Sequence, residues 1–115
     1  MNKRAVGTRY EDLAAAHLIS LGYRILSRNY RCRAGEIDLI ASEKGYLVFI
    51  EVKYRSDESN GSASEAVDAK KQKRIIRAAR WYLMERHLPD DTPVRFDVVA
   101  FDKEETRVIK DAFWT

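Results

Sequence analysis

The spacing of apolar residues predicts a helix at the start of the chain. Apolar side chains recur at helical intervals from Val6 to Leu21, and Gly22 is a typical residue to end such a helix. The capping-box sequence at positions 8–11 would start the helix near residue 9, whereas a start near Asn2 is the alternative. The first element is therefore an amphipathic helix.

Short apolar or alternating runs predict five strands: Tyr23–Tyr30, Glu36–Ser42, Leu47–Lys53, Val94–Phe101 and Thr106–Lys110. Short turns separate the first three strands, so we expect these strands to pair antiparallel. In the second strand Ile37, Leu39 and Ala41 alternate with polar residues and should share one face. The third strand opens with four consecutive apolar residues, which is typical of a central strand covered by a helix on each face.

A second, longer helix follows a polar stretch at residues 56–64. The capping-box sequence Ser62–Glu65 predicts its start, and it should end near His87, before Pro89. Its inner face would carry Ala69, Gln72, Ile76, Ala79 and Leu83, flanked by Ile75 and Tyr82. The order of elements predicts one α/β domain over residues 1–115, with a mixed central β-sheet flanked by helices.

Strand register brings two carboxylates together. If residues 43–46 form a four-residue loop, Asp38 lies opposite Glu51, with Cβ atoms about 5 Å apart. A loop one residue longer would put them on opposite faces unless a bulge restored the match. Two carboxylates that close repel each other, and a divalent cation removes the repulsion. Lys53 shares the strand face of Glu51, where it could reach a phosphate oxygen or an attacking water.

Several charged residues can be interpreted in more than one way or have a secondary role. The charges of Glu51 and Lys53 could belong to a solvated strand end rather than to a site. Glu36 shares a face with Asp38 and is a secondary candidate for a water-mediated contact with the cation. Asp97 lies within an apolar strand, as either a structural acid or a more distant member of the site.

Composition is that of an ordinary folded protein. The 115 residues are 45% hydrophobic and 34% charged, and no apolar run approaches the roughly 20 residues of a membrane span. Cys32 is the single cysteine, which excludes an intrachain disulfide and a thiolate metal cluster. The N-terminal sequence lacks the apolar core of a signal peptide, so we expect a cytoplasmic protein with no membrane partner.

The net charge of +3 is unevenly distributed along the chain. An acidic centre at residues 36–69 separates two basic blocks, 1–35 and 70–87, as suits a cation site that receives a polyanion. Solvated helix faces are the alternative. The candidate nucleic-acid-binding residues are Arg31, Arg33, Lys70, Lys73, Arg74 and Arg77. Trp81 could stack on a base or pack under a loop, and the 56–64 stretch could be a lid or a plain connector.

These residues resemble two known groups of proteins. Asp38 followed by Glu51-Val52-Lys53 resembles the D…ExK signature of the PD-(D/E)xK, or restriction-endonuclease-like, nuclease superfamily. The longer sequence GEIDLIA…LVFIEVKYR resembles the YraN-like family of bacterial proteins, which is related to archaeal Holliday-junction resolvases. The resemblance extends from Gly7 to Phe113. It implies an αβββαβ core within the α/β class.

The resemblance also implies an activity. Asp38, Glu51 and the backbone carbonyl of Val52 would hold Mg²⁺ or Mn²⁺, Lys53 would orient the attacking water, and Glu11 would contribute from the first helix. The alternative for Glu11 is a helix cap or an exposed acid in the first turn. We therefore expect a metal-dependent nuclease that hydrolyses phosphodiester bonds in DNA, including branched DNA, and a homodimer if both strands of a junction are cut. The alternatives are an inactive nucleic-acid-binding module of the same fold and an RNA nuclease.

Overall fold

The computed structural model describes residues 3–55, 67–102 and 105–114. These residues form α1 (Lys3–Ser20), β1 (Arg24–Cys32), β2 (Gly35–Glu43), β3 (Tyr46–Arg55), α2 (Ala69–Glu85), β4 (Val94–Asp102) and β5 (Glu105–Ile109). The strands build one sheet in the order β1-β2-β3-β4-β5. Only β3 and β4 pair in parallel, because α2 carries the chain back across the sheet between them. The predicted α/β class, mixed sheet and antiparallel first three strands are confirmed.

Each face of the sheet buries its own apolar cluster. On one face Ala14, Ala15 and Leu18 of α1 pack with Leu39, Val48, Ile50 and Val99 of the sheet. On the other face Ile75, Ala78, Ala79 and Tyr82 of α2 pack with Ile40, Phe49, Phe96 and Phe113. The central strand β3 is therefore buried on both sides, as its run of apolar residues predicts.

Both helices begin at residues other than the main predictions. Since α1 begins at Lys3, the start near residue 9 is wrong and the earlier alternative is the better one. The predicted start of α2 at residues 62–65 is also wrong, because Val67 and Asp68 are not helical; the capping-box sequence itself lies outside the described residues. The cap is Asp68, whose carboxylate accepts a hydrogen bond of 2.8 Å from the backbone N–H of Lys71.

The inner face of α2 is rotated relative to the prediction. Its buried residues are Ile75, Ala78, Ala79 and Tyr82. Ala69, predicted to face inward, is exposed because it is the first residue of the helix and projects beyond the sheet. The four predicted nucleic-acid-binding residues of α2 are all exposed, whereas Trp81 is half-buried.

The β2–β3 hairpin has the register that the site requires. Ser42 pairs with Leu47 and Glu43 with Tyr46, so the turn is shorter than the predicted loop but keeps its even register. Lys44 and Gly45 form this turn with φ of 51° and 85°, as a two-residue hairpin demands. The regular ladder ends at the pair Leu39–Ile50, immediately before Asp38 and Glu51.

Strand β2 changes its packing at Asp38. Leu39 and Ala41 belong to the apolar cluster under α1, whereas Ile37 packs in the cluster under α2. The prediction that these three residues share a face is therefore wrong at Ile37. At the facing position of β1, between the pairs that Arg28 and Tyr30 make with β2, Asn29 has φ of 51°. This left-handed residue interrupts the regular alternation next to Asp38.

In the part of the chain that the structure describes, neither helix is long and apolar enough to cross a membrane.

Candidate active site

A pocket of about 260 Å³ opens where β2 and β3 leave the regular ladder. Its lining residues are Glu11, Asp38, Glu51, Val52, Lys53, Tyr54 and Lys71. It brings together the four residues predicted to be catalytic, from α1, β2 and β3. We call Glu11, Asp38, Glu51, Lys53 and Lys71 the site cluster.

Hydrogen bonds and ion pairs fix the two central carboxylates. The backbone N–H of Val52 donates to Asp38 Oδ2 at 2.8 Å, which locks β2 to β3 just beyond their ladder. Glu51 is nearly buried, and its Oε1 lies 2.8 Å from Lys71 Nζ and 3.9 Å from Lys53 Nζ. Within the described residues, no donor is recorded on Asp38 Oδ1 or Glu51 Oε2. Among the contacts of the described residues, Asp38 and Glu51 thus each keep one oxygen that a ligand could use.

Asp38 has the most strongly altered acidity of the site cluster. Burial, followed by repulsion from Glu51, raises its pKa from 3.8 to about 8, and the hydrogen bond from Val52 offsets only part of this increase. In the absence of a cation, Asp38 therefore keeps its proton at neutral pH. A cation held between Asp38 and Glu51 would lower the pKa of Asp38, because it favours the ionised carboxylate.

The two lysines differ in acidity. Burial, followed by the neighbouring Lys71 ammonium, lowers the pKa of Lys53. Burial also acts to lower the pKa of Lys71, but the charge and hydrogen bond of Glu51 outweigh it, and the net pKa is raised. Lys71 is therefore the firmly charged partner of Glu51, and Lys53 is the ammonium that loses a proton more readily.

Glu11 approaches the cluster from α1. Burial is the main reason that its pKa is raised; the side chain of Asn29 lowers it by hydrogen bonding, and repulsion from Glu36 and Glu51 adds to the increase. Glu36 does not line the pocket, since its carboxylate pairs with Arg31 on the surface at 3.3 Å. The structure thus brings Glu11 to the site and leaves Glu36 outside it.

The oxygen atoms that the pocket offers as metal ligands suit a cation that keeps some of its bound water molecules. With all three carboxyl groups ionised, the site cluster has one more negative than positive charge. Among the described residues, no three His, Cys, Asp or Glu side chains are gathered closely enough to hold a metal ion by themselves. The protein would therefore supply two carboxylates and a backbone carbonyl of Val52, with water completing the set. Mg²⁺ commonly binds in this manner.

The predicted nucleic-acid-binding residues form one surface near the pocket. A Cβ built on Gly35 would lie 3.8 Å from Arg74 Cβ, so the β1–β2 turn that carries Arg33 lies against α2. Arg33 is exposed, and Arg31 is exposed in its ion pair with Glu36. Lys70, Lys73, Arg74 and Arg77 follow on α2. We call these six residues the basic surface.

Asp97 belongs to a different group of charges. It is fully buried, and both of its oxygens accept hydrogen bonds from Arg95 at 2.9 Å. Tyr23 donates to Asp97 at 2.7 Å, and Glu43 accepts from both Arg95 and Lys110. We call Tyr23, Glu43, Arg95, Asp97 and Lys110 the Arg95 cluster. Of the two interpretations of Asp97, the structure favours the structural acid.

Sequence reasoning missed Lys71. The residue lies four positions before Ile75 and seven before Ala78, so it occupies the buried stripe of α2. A lysine at a buried position of a helix is the sequence signal that would identify Lys71. The prediction missed it because it placed the start and the inner face of α2 wrongly. The segment 56–64, interpreted as a lid or a connector, lies within residues that the structure does not describe.

A larger pocket of about 690 Å³ lies elsewhere, between α2, β3 and β4. It shares no lining residue with the site cluster and is lined mainly by apolar side chains such as Phe49, Leu83 and Phe96. We take the smaller pocket as the candidate active site, because Asp38, Glu51 and two lysines line it.

Comparison with known proteins assigns the family. A relative from Lachnoclostridium phytofermentans, named UPF0102 protein, is 54% identical over 98% of this chain and 96% of its own. A relative of the same name from Saccharophagus degradans is 44% identical over 93% and 91% of the two chains. The model of the family described as "Uncharacterised protein family UPF0102" matches residues 10–101. The chain therefore belongs to the UPF0102 family, which is the YraN-like family that its sequence resembles.

Proposed function

We propose that the protein is a Mg²⁺- or Mn²⁺-dependent nuclease of the PD-(D/E)xK type that hydrolyses phosphodiester bonds in DNA. The observation that carries this proposal is the site cluster itself. Asp38 and Glu51 each keep one oxygen without a protein donor among the described residues, next to Lys53. Carboxylates in this arrangement, beside a lysine of low pKa, suit a hydrated divalent cation and a phosphate.

The finer fold assignment is part of the same proposal. The element order α1, β1, β2, β3, α2, β4 supports this assignment, because it is the αβββαβ order that the resemblance implies. The residues that resemble the D…ExK signature lie on neighbouring strands, with Asp38 on β2 and Glu51 on β3. Fold likeness alone is a weak guide to activity, so the site chemistry has to support the function.

Each residue of the site cluster has a distinct role in this mechanism. Asp38, Glu51 and the Val52 carbonyl would hold the cation, which when bound would acidify a water molecule and stabilise negative charge on the phosphate. Lys53 would orient that water and offset charge at the phosphate. Lys71 keeps Glu51 in place at 2.8 Å, and Glu11 would accept a hydrogen bond from a water at the rim.

The basic surface supports a polyanionic substrate. Lysine and arginine side chains that contact backbone phosphates provide affinity with little sequence preference. Lys71 of α2 lines the pocket, and Lys70 and Lys73 of the basic surface lie within the same helical turn on its exposed face. A branched substrate and a homodimer rest on the resemblance to junction resolvases alone.

A cleavage assay tests the function. Duplex, single-stranded and four-way DNA, and a matched RNA set, would be incubated with protein in Mg²⁺ or Mn²⁺. We expect cleavage of at least one DNA that Lys53→Met lowers by roughly a hundredfold or more, because a single electrostatic stabiliser near the phosphate is lost. Lys53→Arg should rescue only partly, since a planar guanidinium differs in shape from an ammonium.

The control is Lys44→Met, which removes an exposed lysine at the other end of the hairpin. It should cleave as the wild type does. Equal cleavage by the wild type and Lys53→Met would contradict the mechanism. Binding of metal and DNA without any cleavage would identify an inactive binding module, and cleavage of RNA alone would identify an RNA nuclease.

A further inference from the structure

Three aromatic rings lie at the border of the active-site pocket. Tyr10 of α1 and Tyr54 of β3 are stacked, with ring centroids 4.3 Å apart and ring planes 9° from parallel. Phe101 of β4, the strand partner of Tyr54, lies 5.1 Å from Tyr10 at 55°. The stack is thus supported by three different elements, which holds the Tyr54 ring in one orientation.

Tyr54 is the outer ring of this stack. It is 36% exposed and lines the pocket together with Lys53. Tyr10 and Phe101 are half-buried and pack against the apolar cluster under α1. One face of the Tyr54 ring is stacked on Tyr10, and the residue still keeps 36% of its surface exposed at the pocket.

The position of Tyr54 relates it to the proposed chemistry. Neighbouring residues of a strand point to opposite faces of the sheet, but Tyr54 and Lys53 both line the pocket at the end of β3. A nucleoside attached to a phosphate in this pocket would therefore lie near the Tyr54 ring. Nucleobases stack on exposed aromatic side chains with little dependence on sequence, because every base has a π-face.

We infer that Tyr54, supported by Tyr10, is a stacking surface for an unpaired nucleobase next to the phosphate that the site cluster engages. The inference rests on the proposed function and narrows its substrate class. Inside an intact duplex each base is covered by its neighbours, so its face is not available to a protein ring until it leaves the stack. The favoured substrate is therefore DNA with an unpaired nucleotide at the site: a single strand, a flap or a branch point.

A binding experiment tests this without requiring cleavage. The probe is a DNA oligonucleotide carrying the fluorescent base 2-aminopurine, either unpaired or within a duplex, titrated with protein in EDTA. We expect quenching of the unpaired probe by the wild type. Tyr54→Leu should weaken its binding about five- to a hundredfold, the range that loss of one stacked base produces. Tyr54→Phe should stay within about twofold of the wild type, because it keeps the ring.

Two further variants keep the test independent of folding. Tyr54→Trp enlarges the ring and should quench at least as strongly as the wild type. Tyr46→Leu removes another exposed tyrosine, at the far end of β3, and should leave binding of the unpaired probe unchanged. Equal losses for unpaired and duplex probes in Tyr54→Leu, or no quenching by either the wild type or Tyr54→Trp, would overturn the inference.

The binding experiment and the cleavage assay can fail independently of each other. Quenching that depends on the Tyr54 ring, in a protein that cleaves nothing, would retain the stacking surface and refute the nuclease. Cleavage that depends on Lys53, with no role for the Tyr54 ring in binding, would do the reverse.

Discussion

The protein buries charged side chains in two places that differ in how completely the charges are paired. Asp38 of the site cluster and Glu43 of the Arg95 cluster lie on the same strand, five residues or roughly 17 Å apart. In the Arg95 cluster two carboxylates face two cations, Arg95 and Lys110. Every carboxylate oxygen accepts a hydrogen bond: those of Asp97 from Arg95, Tyr23 and the Asp111 N–H, and those of Glu43 from Arg95 and Lys110.

The site cluster lacks this balance. Its three carboxyl groups face two lysines, Asp38 has a pKa of about 8, and the pKa of Lys53 is lowered. In contrast, although burial acts to raise the pKa of Glu43, Arg95 and Lys110 hold it below its usual value. The comparison shows that buried charge by itself does not mark a functional site. The site cluster differs in that its buried charges lack sufficient protein partners, which is the property that the proposed cation site requires.

The largest expected difference between the clusters is in stability. Asp97→Ala leaves Arg95 and the Tyr23 hydroxyl without their buried partner and should cost about 3–5 kcal/mol of unfolding free energy. Asp38→Asn removes an acid that is buried next to Glu51, and in EDTA at pH 8 it should leave stability unchanged or raise it. Urea unfolding of both variants measures the difference. A loss in Asp38→Asn as large as that in Asp97→Ala would contradict the comparison.

The pH dependence of stability should have opposite signs in the two clusters. Asp38 ionises near pH 3.8 in the unfolded chain and near pH 8 in the folded protein, so between these values the unfolded state binds fewer protons and stability falls as pH rises. The advantage of Asp38→Asn over the wild type should therefore grow from pH 5 to pH 8 and then level off.

Glu43 behaves in the opposite way, because its folded pKa lies below the ordinary value of 4.5. Its contribution is present above that pH and is lost as pH falls through the folded pKa. The deficit of Glu43→Gln should accordingly be constant near neutrality and shrink in acid. Thermal unfolding in EDTA across the pH range measures both variants, and parallel pH profiles for the two would refute the assignment.

A smaller effect concerns the basic surface. Arg74→Ala combined with Arg77→Ala should weaken DNA binding for all sequences alike and reduce the slope of log K against log salt by about two units at most. Both residues are exposed, so stability should change little. Filter binding at several salt concentrations measures the slope, with Arg107→Ala on β5 as the control. An unchanged affinity for every nucleic acid would show that α2 carries only a solvated charged face.

Much of this architecture could be predicted from local pattern. The apolar run at residues 47–50 predicts a central strand, and the even spacing across a short turn places Asp38 beside Glu51. The register succeeds because a short hairpin turn fixes it through residues close in sequence, although the predicted alternation of β2 is wrong at Ile37. Alternation along β3 also predicts that Lys53 shares a face with Glu51, and both residues line the pocket.

The rest depends on contacts between distant residues. Asp97 meets Tyr23 across 74 positions, and no local pattern distinguishes that pairing from a place in the active site. Lys71 meets Glu51 across 20 positions of sequence, in a helix whose cap is Asp68. The sequence favours an earlier start for this helix, because a capping-box sequence lies upstream of Asp68. The acidity of Asp38 follows from burial, which the sequence alone does not quantify.

Titration of the protein with Mn²⁺ by calorimetry tests the central claim most directly, with Asp38→Asn and Glu43→Gln as the matched pair. Each variant neutralises one buried carboxylate of β2, but only the first lies in the cluster that lacks partners. We expect the wild type and Glu43→Gln to bind Mn²⁺ with similar affinity and Asp38→Asn to lose at least about tenfold. Equal Mn²⁺ affinity in all three proteins, or a loss confined to Glu43→Gln, would contradict the claim that the site cluster is built for a divalent cation.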